Sequence, residues 1–249
     1  MELNKRLVSL RKNIRLNQKP IVNALINRYN DKKICVFCGN RNNLTREHVL
    51  PKWTFEGCTK KSFITNTNGI SQKYNQTVVP CCDYCNNYIL AFLEDFIIEK
   101  FQKTNLEKEH FTVKELEIII LWLETIAYKL QAMEMKRKLK KVKDSDFIPY
   151  LADFPIAIMQ NLSLSPAKIF SNLRNSLKVL SKKSKINRLN SLLVFKTKNI
   201  DFSFMHSANN FIYIELPKYE IALFYFLQEN FNNHEDAYKR SMEILKKEY

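Results

Sequence analysis

Six cysteines occur in the chain, at positions 35, 38, 58, 81, 82 and 85. Four of them form two Cys-x-x-Cys turns, Cys35-Val36-Phe37-Cys38 and Cys82-Asp83-Tyr84-Cys85. Such a turn puts two thiolates on one side of a tight knuckle, and two knuckles complete a tetrahedral, all-thiolate zinc shell. Cys35, Cys38, Cys82 and Cys85 are therefore the expected ligands of a structural Zn2+ ion. Cys81 competes with Cys82; Cys82 is preferred because it restores the two-residue spacing. Cys58 has no partner at ligand spacing and reads as a spare thiol. Structural zinc binding is worth roughly 10–16 kcal/mol in small peptides. That is enough to hold together the segment between Arg41 and Asn75, which is thin in apolar residues.

A four-thiolate site is closed and does no chemistry. The reactive residues must lie elsewhere, and Glu47-His48, bracketed by the two knuckles, is where they are expected. A carboxylate holds a hard divalent cation, and a neutral imidazole takes a proton from water near neutral pH. Adjacent side chains on a strand point to opposite faces, so a bulge or turn is expected to let both serve one site. Arg46 and Lys52 flank the pair and are candidates for contacting phosphate. Trp53 suits either stacking on a base or packing in a core. Asn86 follows the last knuckle cysteine directly, at the start of an expected helix.

Three stretches taken together resemble a known family: Cys35–Cys38, Arg46-Glu47-His48-Val49-Leu50-Pro51-Lys52-Trp53, and Cys82-Asp83-Tyr84-Cys85-Asn86-Asn87. The chain is similar to HNH endonucleases of the ββα-metal (His-Me finger) superfamily, in particular bacterial members with two zinc knuckles. The resemblance spans about residues 34 to 95. It implies a β-hairpin carrying Glu47-His48, packed on a helix that starts near Cys85. It implies that His48 is the general base and that Glu47 and Asn86 bind a catalytic Mg2+ or Mn2+. Asn87 is the alternative to Asn86, and Asn75 is a reserve. The chain departs from the family in having Glu-His where many members have Asp-His. It also has a long separation between its knuckles, Gly39 to Cys81, with an insertion around 55 to 75. The implied activity is hydrolysis of phosphodiester bonds, leaving 5′-phosphate and 3′-hydroxyl ends. DNA is the favoured substrate, with RNA, including tRNA, as the alternative. A non-catalytic, zinc-stabilised nucleic-acid-binding module is the reading from another class. By analogy with the family, the protein is expected to act in bacterial anti-phage defence, beside a protein partner such as an ATPase subunit.

Composition agrees with a nucleic-acid partner without requiring one. The 249 residues carry a formal charge of +15, and such an excess attracts polyanions. Hydrophobic residues make up 45%, enough for a buried core. Only three glycines occur, which argues against a glycine-rich phosphate loop or a dinucleotide-binding turn. The N-terminus lacks the apolar core of a signal peptide, and the longest strongly apolar run, Ile118 to Leu123, is too short to span a membrane. A cytoplasmic protein with no membrane partner is expected, in which cysteine pairs bind metal rather than form disulfides.

The positioning elements follow from periodicity. Residues 1 to about 30 read as a basic helix interrupted at Pro20, its apolar stripe of Leu3, Leu7, Leu10 and Ile14 packed on the core. A helix is expected from Tyr88 to Lys103. Thr112-Val113-Lys114-Glu115 fits a capping box that opens a long helix, ending in the basic run Lys136–Lys143. Residues 144 to 155 read as a connection, Ser165-Pro166 as the start of a helix to Leu180, and Lys182–Arg188 as a basic loop. Ser191–Thr197, Phe211–Leu216 and Asp201–Met205 read as strands, and Tyr219–Gln228 and Glu235–Glu248 as helices. The expected fold is α+β, mainly helical. A zinc-stabilised ββα-metal core is joined to a largely helical C-terminal accessory region containing a small antiparallel β element. The expected divisions are an N-terminal basic helical segment (1–33), the nuclease domain (34–103), and an accessory region for substrate or partner binding (104–249).

Overall fold

The computed structural model describes residues 2–26, 33–58, 62–64, 71–141, 147–148, 154–155, 166–207 and 210–248. The fold is α+β, with small antiparallel sheets. Two compact units are each assembled from three stretches of chain. The first comprises Met1–Val49, Thr77–Phe92 and Tyr128–Lys183; the second comprises Leu50–Gln76, Leu93–Ala127 and Ser184–Tyr249. This grouping cuts across the consecutive segments read from the sequence.

In the first unit, helix α1 runs from Glu2 to Ile26 with Pro20 inside it. The expected interruption does not occur. Proline removes one helical hydrogen bond, but Pro20 sits on the exposed face while Leu7, Leu10, Ile14, Ile21 and Leu25 continue one buried stripe through it. Helix α4, Pro166–Leu180, packs on α1. Arg15 donates to the carbonyl of Ser181 at 2.8 Å, and Gln18 to that of Arg174 at 2.8 Å. Arg15 thus satisfies a carbonyl just past the end of α4.

Strands β1 (Leu44–His48) and β4 (Val78–Cys82) form an antiparallel pair, with Leu44 opposite Cys82 and His48 opposite Val78. A π-helical segment, Tyr84–Leu90, follows β4 and passes into helix α2, Ala91–Lys103. Short strands β2 (Ser62–Ile64) and β3 (Ser71–Lys73) pair within the stretch between β1 and β4.

Helix α3, Val113–Lys141, opens with the expected capping box: Thr112 N donates to Glu115 Oε2 at 2.9 Å, and Glu115 N to Thr112 Oγ1 at 3.4 Å. Its middle is buried on every side from Ile118 to Met133, which is why no simple apolar stripe marks it. Four polar side chains are carried inside, Glu124, Thr125, Lys129 and Gln131. The side chains of the basic run Lys136–Lys143 lie outside the described residues, as do Ser165 and most of the connection 144–155. Within that connection the pair β5 (Phe147–Ile148) and β6 (Phe154–Pro155) is described.

The second unit is built on a four-stranded antiparallel sheet in the order β7-β10-β9-β8. Its strands are Leu192–Lys196 (β7), Ser203–Ser207 (β8), Phe211–Leu216 (β9) and Ile221–Phe226 (β10). β10 occupies most of the stretch read as a helix from Tyr219 to Gln228. A six-residue apolar run has no periodicity to separate helix from strand. Here the turn decides: Pro217–Tyr219 is a 3-10 turn, and Glu220 at φ 54° reverses the chain so that β10 pairs back on β9. All residues of β9 and β10 are buried. On one face Phe211, Tyr213, Phe224 and Phe226 pack against Ala237 of helix α5, His234–Glu248. Buried Glu124 accepts from Lys185 Nζ at 2.5 Å and from Tyr225 OH at 2.8 Å. Among the described residues, no helix is long and apolar enough to cross a membrane.

Candidate metal centre

The first knuckle is a turn closed by its own backbone. Cys35 N donates to Asn40 O at 2.7 Å, and Gly39 N donates to Cys35 O at 2.9 Å. Gly39 adopts φ +75°, a conformation open to glycine at little cost. Val36 N donates to Pro80 O at 3.1 Å, which ties this knuckle to β4. The second knuckle spans the end of β4 and the first turn of the helix, and Asp83 N donates to Asn43 O at 2.9 Å.

These ties bring Cys35, Cys38, Cys82 and Cys85 together, with all four sulfurs within 4.8 Å of one another. Four sulfurs around one ion at the usual Zn–S length would be about 3.8 Å apart. The four cysteines are thus positioned to bind a metal ion, and the all-thiolate set is of the soft kind that zinc takes. Hydrogen bonds from neighbouring thiols, Cys38 first, hold Cys35 far below the usual thiol range. Hydrogen bonding to Cys35, together with burial, pushes Cys38, Cys81 and Cys85 far up. Packed thiols cannot all ionise without a counter-charge, which a bound cation supplies. Cys81 is a fifth buried thiol, 4.0 Å from the sulfur of Cys35 but outside the mutually close four. Cys58 belongs to the second unit.

Glu47 and His48 end β1, on the ladder that carries the second knuckle. The register runs from Leu44 to His48 without a bulge, and Val49 N continues it to Thr77 O at 2.8 Å. The expected bulge is therefore absent, and strand alternation places Glu47 and His48 on opposite faces. Glu47 shares its face with Thr45. Thr45 Oγ1 donates to Cys81 O at 2.9 Å and accepts from Asn86 Nδ2 at 2.8 Å. Asn86 is thereby docked on the Glu47 face of β1, through the residue two positions earlier. Its Oδ1 accepts no hydrogen bond among the described residues. Asn87 is exposed, and its amide donates to Asp83 at 2.5 Å, while Asn75 lies in the second unit.

Two consecutive residues of α3 hold this arrangement from behind. Tyr128 OH donates to Val36 O at 2.5 Å, inside the first knuckle. Burial pushes this hydroxyl well above the ordinary tyrosine range, so it stays a donor. Lys129 Nζ donates to Glu47 Oε1 and to His48 O, each at 2.7 Å. Glu47 Oε2 accepts no hydrogen bond among the described residues.

The sequence reading missed Lys129. The available signal was a charge set among Ile126, Ala127, Tyr128 and Leu130, where an unpaired ammonium would be costly. Of the candidate phosphate contacts, Arg46 is exposed in the first unit and Lys52 is exposed in the second. Trp53 packs: its ring stacks on Trp122 at 5.5 Å and meets the edges of Phe101 and Tyr219.

Compared with known proteins, the chain matches no family profile, no curated protein and no solved structure.

Proposed function

We propose that the first unit is an HNH-type nuclease centre, which binds zinc through Cys35, Cys38, Cys82 and Cys85 and hydrolyses phosphodiester bonds in nucleic acid, DNA before RNA. The observation that carries the reading is the docking of Asn86 on Thr45, one alternation from Glu47, where the second knuckle turns into a helix. That places two oxygen donors, Glu47 Oε2 and Asn86 Oδ1, on one side of the hairpin, each without a hydrogen bond among the described residues. Such oxygens suit a hard divalent cation, Mg2+ or Mn2+. Such a cation, when bound, would polarise a phosphate and stabilise the leaving oxygen.

The chain's own residues do the rest. Lys129 fixes one carboxylate oxygen of Glu47 and leaves the other available. Thr45 accepts from the Asn86 amide nitrogen and leaves the amide oxygen available. His48 is the last residue of β1, with its carbonyl held by Lys129; to take the proton from the attacking water its imidazole has to reach round the strand end to the Glu47 face. Arg46, exposed on the same strand, meets the phosphate backbone.

The test is cleavage of plasmid DNA and of total RNA in Mg2+ or Mn2+, with zinc retained and EDTA as the control. Wild type is expected to cleave, and His48→Ala to lose about 100-fold or more of that rate with zinc content unchanged. Equal cleavage by both proteins would overturn the assignment of His48. Whichever substrate is cut decides between DNA and RNA.

A further inference from the structure

A row of aromatic side chains rises from the helix that begins at the second knuckle. Tyr84, Tyr88 and Phe92 recur at four-residue spacing and are 47%, 48% and 37% exposed. Tyr84 and Tyr88 are stacked, with centroids 5.5 Å apart and planes inclined by 18°. Between Tyr88 and Phe92 lies the guanidinium of Arg6 from α1. It is 3.6 Å from one ring centroid and 3.3 Å from the other. The series is therefore four flat groups deep: Tyr84, Tyr88, Arg6, Phe92. Arg6 is locked in place by donating to Tyr88 O at 2.5 Å and to Glu2 Oε1 at 3.2 Å. It occupies the position that a planar base would take between two rings.

The tyrosine at the end of this stack stands beside a basic helix face. Its hydroxyl is 3.3 Å from Ser9 Oγ of α1. Lys5 and Lys12, four residues before Ser9 and three after it, are exposed on that side of α1. After Glu2, α1 contains no acidic residue. Large rings are rarely left half exposed in a cluster unless something covers them. Flat π-faces beside lysines fit one occupant best, a single strand whose bases stack and whose phosphates meet the ammonium groups.

We propose that Tyr84, backed by the Tyr88–Arg6–Phe92 stack, is a stacking platform for an unpaired base of single-stranded nucleic acid, with Lys5 and Lys12 drawing in the phosphates. The proposal rests on the nucleic-acid reading of the preceding section. Asn86, two residues further along, faces Thr45 on the other side of the helix. The platform therefore anchors a segment of the substrate away from the cleaved bond.

The experiment measures fluorescence anisotropy of a labelled oligodeoxythymidine and of a duplex of equal length, at one fixed salt concentration. All proteins carry His48→Ala, so binding is read without cleavage. Tyr84→Ala is expected to weaken oligodeoxythymidine binding about tenfold, Tyr84→Phe to retain it, and duplex affinity to change less than about twofold. Unchanged oligodeoxythymidine affinity in Tyr84→Ala overturns the proposal. So does an equal loss on both probes, or no binding of oligodeoxythymidine by the parent protein. The nuclease reading is judged separately, by the cleavage assay with an intact His48. A protein that cleaves but ignores Tyr84→Ala loses only the platform.

Discussion

Lys129 Nζ lies 2.7 Å from Glu47 Oε1, with the lysine side chain 1% exposed and the glutamate side chain 11%. Both charges are inside the protein, so each depends on the other. Removing one partner of such a pair strands the second in a poor solvent. Lys129→Met and Glu47→Gln are each expected to cost about 3 kcal/mol of stability in urea unfolding. The double variant is expected to lose distinctly less than the sum of the two. Strict additivity in this cycle would show that the two side chains do not interact.

The thiol cluster predicts metal content. Wild type purified without chelator is expected to carry about one zinc per chain by elemental analysis. Cys38→Ser is expected to lose that metal and unfold at lower denaturant concentration. Cys81→Ser is expected to keep it, because its sulfur is outside the mutually close four. Loss of zinc from Cys81→Ser with retention in Cys82→Ser would exchange the roles of these neighbours.

His206 predicts a pH dependence. Its ring lies on Phe204, its exposure is 2%, and neither ring nitrogen has a hydrogen-bond partner among the described residues. Burial lowers its pKa from 6.5 to about 4. The folded protein thus keeps the neutral ring, and the unfolded chain takes the proton first. The associated stability is complete above pH 6.5 and is lost as the pH falls toward 4, about 3 kcal/mol in all. His206→Leu is expected to flatten this part of the stability curve relative to wild type. Parallel curves for the two proteins would count against a neutral buried ring.

Pro20 offers a test of α1. A proline on the exposed side of a continuous helix forfeits a hydrogen bond and gives nothing to the core. Pro20→Ala is expected to stabilise the protein by about 1–3 kcal/mol, measured as a shift in the urea midpoint. Destabilisation would show that the helix requires the break.

Much of the candidate centre was legible because its chemistry is written locally. The x-x spacing identified the sulfur quartet, and Cys82 was separable from Cys81 on that ground alone. Thr112 and Glu115 announced the start of α3, and Pro166 the start of α4. What stayed hidden is set by distant partners. Lys129 acquires its meaning from Glu47, 82 positions away. β10 is a strand because β9 and β7 flank it, a fact absent from Ile-Ala-Leu-Phe-Tyr-Phe itself. Pro20 was overruled by a buried stripe that continues in phase on both sides of it. Glu47 and His48 were expected to need a bulge or turn, whereas the ladder to β4 continues without a bulge.

That ladder has a consequence for synthesis. Glu47 leaves the ribosome long before β4, and β4 long before Lys129. Until Tyr128 and Lys129 emerge, the knuckle carbonyl has no donor and the carboxylate has no counter-ion. The unit containing the two knuckles draws residues from as far on as Lys183. Folding from the N-terminus therefore reaches a two-knuckle hairpin with an open back before its closing helix is made. The helix that shuts it arrives well after both knuckles, and a chain truncated before Tyr128 has knuckles but nothing to close them.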